Sequence, residues 1–289
     1  MTTVLLTGLP RGGTTLACEL LNRLPDARAL DEPMRPAKLL REALGPRGEL
    51  DRAMIVSAIE AFAAAQRRSL LERGVAVTKH TGGSVVGAKV SDTLDPDGLR
   101  RRLREHGEAF LGVPSSAGFT LAIKHPVAFT ALLDTLMPAF PVVALVRNPL
   151  AVVASWETVP MPVRDGSPGL PSEAVGELGP RLAACSDRLD RQVELLAWFF
   201  DCYHAALPAA RVVRYEDVVA SGGAALAPIV TSASGLAVAL SSRNAAPVYD
   251  PAHMRAMAAR LLAREPGQWA PYEREEIERL ARGGLTRGS

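Results

Sequence analysis

Cysteine is scarce in this chain. Its 289 residues include only three cysteines, Cys18, Cys185 and Cys202. The number is odd and no CxxC pair or other metal-ligand spacing is present, which argues against a disulfide framework and a structural zinc site. We therefore expect reduced thiols, buried as small apolar side chains, in an intracellular protein.

Long apolar runs and a dominant charge are also missing. No run approaches the roughly 18 residues of a membrane span, and the N-terminus lacks the basic start and cleavage site of a signal peptide. The 33 basic and 31 acidic residues leave a formal charge of +2, which excludes the broad positive field of many nucleic-acid-binding proteins. We expect a cytoplasmic protein without nucleic-acid or membrane partners. Its high alanine, arginine and glycine content favours a bacterial source.

Short apolar runs alternate with helical segments along the chain. Hydrophobic residues make up 48% and charged residues 22%, as in ordinary globular proteins. Strands are predicted at 4–7, 27–30, 119–124, 141–146 and 210–213. Helices are predicted at 14–24, 35–43, 51–73, 126–137, 150–159 and 272–282, with one or two more at 173–207. This alternation is typical of a parallel sheet covered on both faces. We predict an α/β fold, a P-loop-type three-layer α/β/α arrangement with a central parallel sheet.

The same pattern predicts the domain organisation. An α/β fold can use this length as one unit, so a single domain is expected over residues 1–289. Residues 74–118 hold glycine, serine and proline clusters and are predicted to be a variable insert of loops, with one basic helical run, Leu99–His106. A proline- and glycine-rich stretch at about 160–172 is predicted to be a flexible loop, long enough to be a lid.

The first strand is followed by a glycine-rich turn with the properties of a phosphate-binding loop. Glycines between residues 8 and 13 let the backbone aim N–H groups inward, and the next helix adds the positive end of its dipole. Thr14 stands where the P-loop motif G-x-x-x-x-G-K-[ST] has lysine, and the cation is Arg11 instead. The residues expected to hold the anion are Arg11, Gly12, Gly13, Thr14 and Thr15.

The segment Pro10–Leu16 resembles the 5′-phosphosulfate loop of sulfotransferases that use 3′-phosphoadenosine-5′-phosphosulfate (PAPS). The family form is P-[KR]-[SA]-G-T-T, and Gly12 replaces the usual serine, a mild departure. The strand followed by Arg147-Asn148-Pro149 resembles the family's 3′-phosphate segment. That resemblance implies a phosphate-binding role for Arg147 and for Ser155, eight residues later.

Two later segments extend the resemblance over nearly the whole chain. Residues 213–219 are similar to the family's Y-E-D-L segment, which implies that Tyr215 lies against the adenine or its phosphate side. Residues 266–269 resemble, more weakly, the C-terminal G-x-W loop that closes over the nucleotide, and Arg264 could be the basic residue near it.

The resemblance also implies a catalytic base. The spacing from residue 8 to residue 33 is similar to that of tyrosylprotein sulfotransferases and their bacterial relatives, which have a catalytic glutamate at the position of Glu32. Lys124-His125-Pro126 resembles the segment whose lysine reaches the bridging oxygen of the leaving phosphate. Glu32 is the first choice of base and His125 the alternative. Lys124 and Arg11 would stabilise the developing charge.

The resemblance implies a PAPS-dependent sulfotransferase. It would move a sulfuryl group to a hydroxyl of a small-molecule or peptide acceptor by in-line transfer, with PAPS as co-substrate and no metal. Two other functions remain open: a P-loop small-molecule kinase, and a nucleotide-binding protein without catalysis. The acceptor and the oligomeric state cannot be read from the sequence.

Overall fold

A parallel sheet of five strands forms the centre of the fold. A computed structural model of the protein describes residues 2–46, 49–87, 90–171 and 174–283. Its strand order is β2-β5-β1-β6-β7, and every neighbouring pair is parallel. The strands are β1 (Thr3–Gly8), β2 (Ala27–Asp31), β5 (Thr120–Lys124), β6 (Val142–Val146) and β7 (Val212–Arg214). A separate two-stranded antiparallel sheet contains β3 (Val75–His80) and β4 (Glu105–Phe110).

Helices connect the strands and cover the sheet. They are α1 (Thr14–Leu21), α2 (Pro36–Ala43), α3 (Arg52–Arg73), α4 (Pro126–Ala131), α5 (Leu133–Leu136), α6 (Pro149–Glu157), α7 (Leu178–Ala183), α8 (Arg188–Ala206), α9 (Tyr215–Ala220), α10 (Pro251–Leu262) and α11 (Arg274–Gly283). Among the described residues, none of these helices combines the length and apolar character needed to cross a bilayer.

The sheet separates two hydrophobic cores, because successive side chains on a strand point to opposite faces. On β1, Leu5 belongs to the larger core, which also contains buried residues of α3, α6 and α8. Val4 and Leu6 belong to the smaller core, with buried residues of α1 and α9. Helices on both faces of a parallel sheet confirm the predicted three-layer α/β/α fold.

The predicted helix over Leu99–His106 is wrong. Glu105 and His106 are part of β4, which pairs antiparallel with β3, and residues 99–104 are not helical. Basic residues at helical spacing, such as Arg100 and Arg104, usually form a solvated face. Both side chains are instead buried and ion-paired, at 7% and 4% exposure. Long-range pairing and ion pairs therefore outweigh the local helical pattern here.

Other differences concern helix continuity and the proposed lid. The helix predicted at 126–137 is divided into α4 and α5 at Leu132. In the loop predicted at 160–172, residues 162–165 form a short 3-10 turn, and residue 172 lies outside the described residues. Gln192 on α8 donates to the carbonyl of Arg164 at 2.6 Å. The turn is thus held against α8.

Candidate active site

The carboxyl ends of the five parallel strands lie at one edge of the sheet, where ligands bind in folds of this kind. Gly8 ends β1 beside Leu145 of β6, and Leu6 lies opposite Lys124 at the end of β5. Asp31 ends β2 opposite the same lysine. The residues predicted for the site follow these strand ends, so the fold brings them to a common edge.

The glycines of the phosphate loop lie in close contact with neighbouring residues. Gly8 and Gly13 have positive φ angles of 141° and 93°. A Cβ atom on Gly8 would lie 2.3 Å from the carbonyl oxygen of Leu145, and one on Gly13 would lie 2.6 Å from the ring of Tyr215. Trp156 fixes the start of the turn, because its Nε1 donates to the carbonyl of Pro10 at 2.8 Å. The loop therefore has little freedom to change its shape.

Gly12 is a stricter requirement than the sequence suggested. A Cβ atom at this position would lie 2.8 Å from the carbonyl oxygen of Leu9 and 3.0 Å from the Leu9 Cβ. Such contacts are shorter than folded proteins tolerate without movement. In this chain the family's serine would not fit without a shift of the loop, so the replacement is not simply the loss of a hydroxyl.

Arg11 occupies the centre of the loop in a left-handed backbone conformation, with φ of 68°. Its Nε donates to Oγ of Ser155 at 3.1 Å, which joins the loop to α6. Its carbonyl accepts from Nη1 of Arg147 at 3.0 Å. The two predicted phosphate-binding segments, after β1 and after β6, are thus in direct contact.

All three guanidinium nitrogens of Arg147 have protein partners. Besides the Arg11 carbonyl, they bind the carbonyl of Arg243 and the side-chain oxygen of Asn244, the latter at 2.8 Å. The guanidinium also lies over the ring of Tyr215, 4.8 Å from its centroid. Arg147 is buried, and it orders the segments around a potential anion site as well as contributing charge.

Tyr215 supports the loop from below. Its ring packs against Gly13, and its hydroxyl accepts from the backbone N–H of Arg243 at 3.0 Å. The side chain is buried. The contact with the phosphate loop is direct, and the contact with an adenine group stays a prediction.

Four arginines and a tyrosine lie close together beside the loop. Arg100 comes from the insert and Arg243 from the segment before α10, and both act electrostatically on Arg11. Burial, and then the neighbouring charge of Arg100, lower the pKa of Arg11 to about 10. Burial would raise the pKa of the Tyr249 hydroxyl, but Arg147 and a hydrogen bond with Ser155 lower it overall. This arginine cluster (Arg11, Arg100, Arg147 and Arg243) concentrates positive charge beside the loop and is suited to an anion.

A second group of charges surrounds Glu32 at the ends of β2 and β5. Nζ of Lys124 lies 2.6 Å from Oδ1 of Asp31 and 2.8 Å from Oε1 of Glu32. Lys79 of β3 pairs with the other oxygen of Glu32. Glu32 has a left-handed φ of 46°, a conformation that is costly for a residue with a side chain.

The same group reaches the phosphate loop through Asp31. Thr15 Oγ1 donates to Oδ2 of Asp31 at 3.4 Å, and Nη1 of Arg104 lies at the same distance from that oxygen. Arg104 also pairs with Glu19 of α1 at 2.9 Å. A continuous set of polar contacts therefore connects the loop, the candidate base and the insert.

Lys124 and His125 differ sharply in charge. Burial alone would lower the pKa of Lys124, but the carboxylates of Asp31 and Glu32 raise it above the ordinary value, so the ammonium stays protonated. Burial lowers the pKa of His125 to about 3, so its imidazole is neutral near pH 7. Nε2 of His125 already accepts the N–H of Met34 at 3.1 Å. As candidate base, His125 is therefore less favourably placed than the partly exposed Glu32.

The C-terminal segment at 266–269 packs against the helical layer. Nε1 of Trp269 donates to the carbonyl of Leu261 at 2.9 Å, and its ring contacts Phe200 of α8 edge-on. Arg264 pairs with Glu194, also on α8, at 2.5 Å. The C-terminal segment that contacts Arg147 is instead Arg243-Asn244.

Several residues of this site escaped the sequence analysis: Asp31, Lys79, Arg100, Arg104, Arg243 and Tyr249. Asp31 could have been found, because it directly precedes Glu32 at a predicted strand end. The insert residues had no such signal, since their positions depend on β3 and β4 pairing far along the chain.

No family model matches the chain, and no curated protein matches it. Among solved structures, it is similar to the sulfotransferase domain of the olefin synthase from Synechococcus PCC 7002, with 14% identity and a TM-score of 0.37 over 100% of this chain and 95% of that one. It is also similar to the sulfotransferase STF9 from Mycobacterium avium, with 14% identity and a TM-score of 0.33 over 98% of this chain and 76% of the other. Likenesses of this size do not assign a function.

Proposed function

We propose that this protein is a sulfotransferase that moves the sulfuryl group of PAPS to a hydroxyl of a small-molecule or peptide acceptor. The observation that carries the proposal is the direct contact between a phosphate loop without a lysine and Arg147, the arginine that follows β6. A 3′,5′-substituted nucleotide has two anionic groups, and two adjoining anion-binding features suit such a ligand. The motif resemblance supplies the identity of the nucleotide.

The chain's own residues can supply the chemistry of transfer. The acceptor oxygen would form a bond to sulfur while the bond from sulfur to the 5′-phosphate oxygen breaks, releasing 3′,5′-diphosphoadenosine. Glu32 would accept the acceptor proton. Glu32 lies at the same strand edge as the loop, and its side chain is 25% exposed, so an incoming hydroxyl can approach it.

Two cations are suited to the charge that develops on the leaving group. Lys124 carries a permanent ammonium next to Glu32, and Arg11 projects from the phosphate loop toward Ser155. Preorganised donors of this kind can contribute several kcal/mol of transition-state stabilisation, roughly 3–4 kcal/mol per donor in favourable sites. The backbone N–H groups at the start of α1 would add to the same effect.

The kinase alternative is less well supported. A P-loop kinase uses a loop lysine on the β/γ-phosphates and carboxylates to hold magnesium. Thr14 replaces the lysine, and the nearest strand-end carboxylates, Asp31 and Glu32, are neutralised by Lys124, Lys79 and Arg104. Carboxylates with these partners would have to release them before binding a metal.

Calorimetric titration with 3′,5′-diphosphoadenosine, AMP and ATP, each with and without magnesium, tests the proposal. We expect binding of 3′,5′-diphosphoadenosine that is independent of magnesium and much tighter than binding of AMP. Preference for ATP with magnesium would replace the proposal with a kinase. Tight nucleotide binding without transfer from PAPS to a broad panel of hydroxyl acceptors would favour a nucleotide-binding protein without catalysis.

A further inference from the structure

Arg100 reaches the arginine cluster from the insert, where no phosphate-binding motif pointed to it. Its backbone N–H donates to the carbonyl of Thr158 at 2.8 Å, and its Nε donates to the carbonyl of Ser91 at 2.7 Å. These contacts anchor the residue beside the end of α6. The side chain is only 7% exposed, so its charge is held in a fixed position.

The cluster is poorly neutralised within the described part of the chain. The ion pairs of its four arginines there all go to one carboxylate, that of Asp92. Oδ1 of Asp92 lies 2.9 Å from Nη1 of Arg243 and 3.6 Å from Nη2 of Arg100. Arg100 and Arg147 are buried, and buried guanidinium groups without adequate counter-charge are costly, which favours binding of an additional anion.

Asp92 is held loosely for a residue that bridges two arginines. Its side chain is 68% exposed, and the distance of 3.6 Å to Arg100 exceeds that of a hydrogen bond. One oxygen of an exposed carboxylate thus lies between two guanidinium groups from different segments. A phosphate oxygen would make stronger, charge-assisted hydrogen bonds with the same groups.

We propose that Arg100 is a further binding residue for the 3′-phosphate of the donor nucleotide. Asp92 is then a counter-ion which that phosphate displaces. The inference rests on the proposed function, because it takes the ligand to be a nucleotide with an additional phosphate. It assigns part of the donor site to the insert, through residues outside the motifs that resemble the family.

The substitution Asp92→Asn has opposite expected effects on nucleotide binding, depending on whether the ion pairs of Asp92 are purely structural. If Asp92 only holds Arg100 and Arg243 in position, Asp92→Asn loosens both arginines and weakens nucleotide binding. If Asp92 competes with the ligand, the same substitution removes the competitor and strengthens binding. The sign of the change therefore separates the two explanations.

The first test measures the affinity of Asp92→Asn for 3′,5′-diphosphoadenosine by calorimetry. We expect an increase of about twofold to fivefold, in keeping with the modest strength of exposed ion pairs. Asp95→Asn is the matched control, since Asp95 is an exposed aspartate of the same insert and its substitution changes the net charge equally. Weaker binding by Asp92→Asn, or an equal gain in the control, would overturn the inference.

The second test replaces Arg100 by glutamine. We expect the affinity for 3′,5′-diphosphoadenosine to fall about tenfold or more, the size expected for a lost charge-assisted contact, while AMP binding changes much less. Arg101→Gln is the control, because Arg101 is the exposed neighbour. Thermal unfolding of each variant identifies any loss of fold. If Arg100→Gln does not fold, the affinity of Asp92→Asn tests the inference, because Asp92 is exposed.

The experiments distinguish a failure of the proposed function from a failure of the role proposed for Arg100. If the unmodified protein does not bind 3′,5′-diphosphoadenosine, both the proposed function and the role of Arg100 are overturned. If it binds, and folded Arg100→Gln binds as well as Arg101→Gln does, the proposed function stands and the role of Arg100 is overturned.

Discussion

Lys79 and Lys124 bind the two oxygens of one carboxylate, that of Glu32. Nζ of Lys124 lies 2.8 Å from Oε1, and Lys79 pairs with Oε2. Lys124 is almost fully buried, whereas the Lys79 side chain is 35% exposed. The two lysines therefore differ in their surroundings: Lys124 holds the carboxylate from a buried position, and Lys79 contacts it from a partly exposed one.

Replacing Glu32 by glutamine should reduce turnover by about 10²- to 10⁴-fold, the usual contribution of a general base. Glutamine keeps the size of the side chain but cannot take the acceptor proton. Binding of 3′,5′-diphosphoadenosine should persist. Steady-state transfer assays and calorimetry measure the two effects separately. Glu60→Gln, at an exposed position on α3, is the control, and unchanged turnover in Glu32→Gln would exclude the residue as base.

Lys79→Met should lower turnover on the acidic side of the pH–rate profile and move the acidic limb to higher pH. Loss of a neighbouring cation makes a carboxylate easier to protonate, so a larger share of Glu32 would be inactive as base. Lys79→Arg should restore much of the wild-type profile. Lys38→Met removes a comparable but exposed Lys–Glu pair and should leave the profile unchanged. A fall in turnover with no change in the pH profile would argue against an effect through Glu32.

Arg147→Ala should weaken binding of 3′,5′-diphosphoadenosine more than binding of AMP. The substitution removes a buried cation and also frees the carbonyls of Arg11 and Arg243. Calorimetry with both nucleotides distinguishes the two effects, and Arg255→Ala, at an exposed position of α10, is the control. An equal loss for both nucleotides would mean that Arg147 acts only by ordering the phosphate loop.

His125 should make the protein less stable as the pH falls. Its pKa is lowered to about 3 by burial, whereas an unfolded histidine titrates near 6.5. The unfolded state therefore binds the proton first, and stability is lost between about pH 6.5 and pH 3, by at most about 1.4 kcal/mol per pH unit.

Urea unfolding at several pH values measures this effect. His125→Gln should flatten the pH dependence, since glutamine does not titrate and can still accept the N–H of Met34. His204→Gln, at an exposed position, is the control. A pH dependence that is identical in His125→Gln and the unmodified protein would rule out this histidine as its source.

Gly12→Ser should destabilise the protein, although serine is the usual residue at this position in the sulfotransferase loops that the segment resembles. The added Cβ would lie 2.8 Å from the Leu9 carbonyl oxygen, and overpacking of this kind costs about 1–3 kcal/mol. Thermal unfolding and nucleotide titration should both reveal the change. Gly179→Ser is the matched control, because a Cβ there meets no atom within 4 Å. Equal stability of the two variants would mean that the loop adjusts freely.

The parts of the site closest to β1 could be predicted from the sequence. An apolar run followed by glycines, Arg11 and two threonines defines the loop by local chemistry, and the strand before Arg147 is equally clear. Glu32 and Lys124 were proposed from the family resemblance of two segments at the ends of recognisable strands, and their roles stay predictions. In each case the position of the residue depends on its own strand and the next few residues.

The insert could not be predicted in the same way. Arg100 and Arg104 have helical spacing, and basic residues at such spacing usually form a solvated face. Their burial depends on distant partners, Thr158 for Arg100 and Glu19 for Arg104. Lys79 reaches Glu32 only because β3 lies next to β2, where Thr78 accepts the N–H of Asp31.

The left-handed backbone at Arg11 and Glu32 has a consequence for the evolution of this protein. Glycine at either position would relieve conformational strain of about 1–3 kcal/mol, so laboratory selection for heat resistance alone should favour losing these two side chains. The proposed transfer reaction needs both. Selection on stability would therefore favour glycine at these positions, whereas selection on the proposed turnover would favour the arginine and the glutamate that are present.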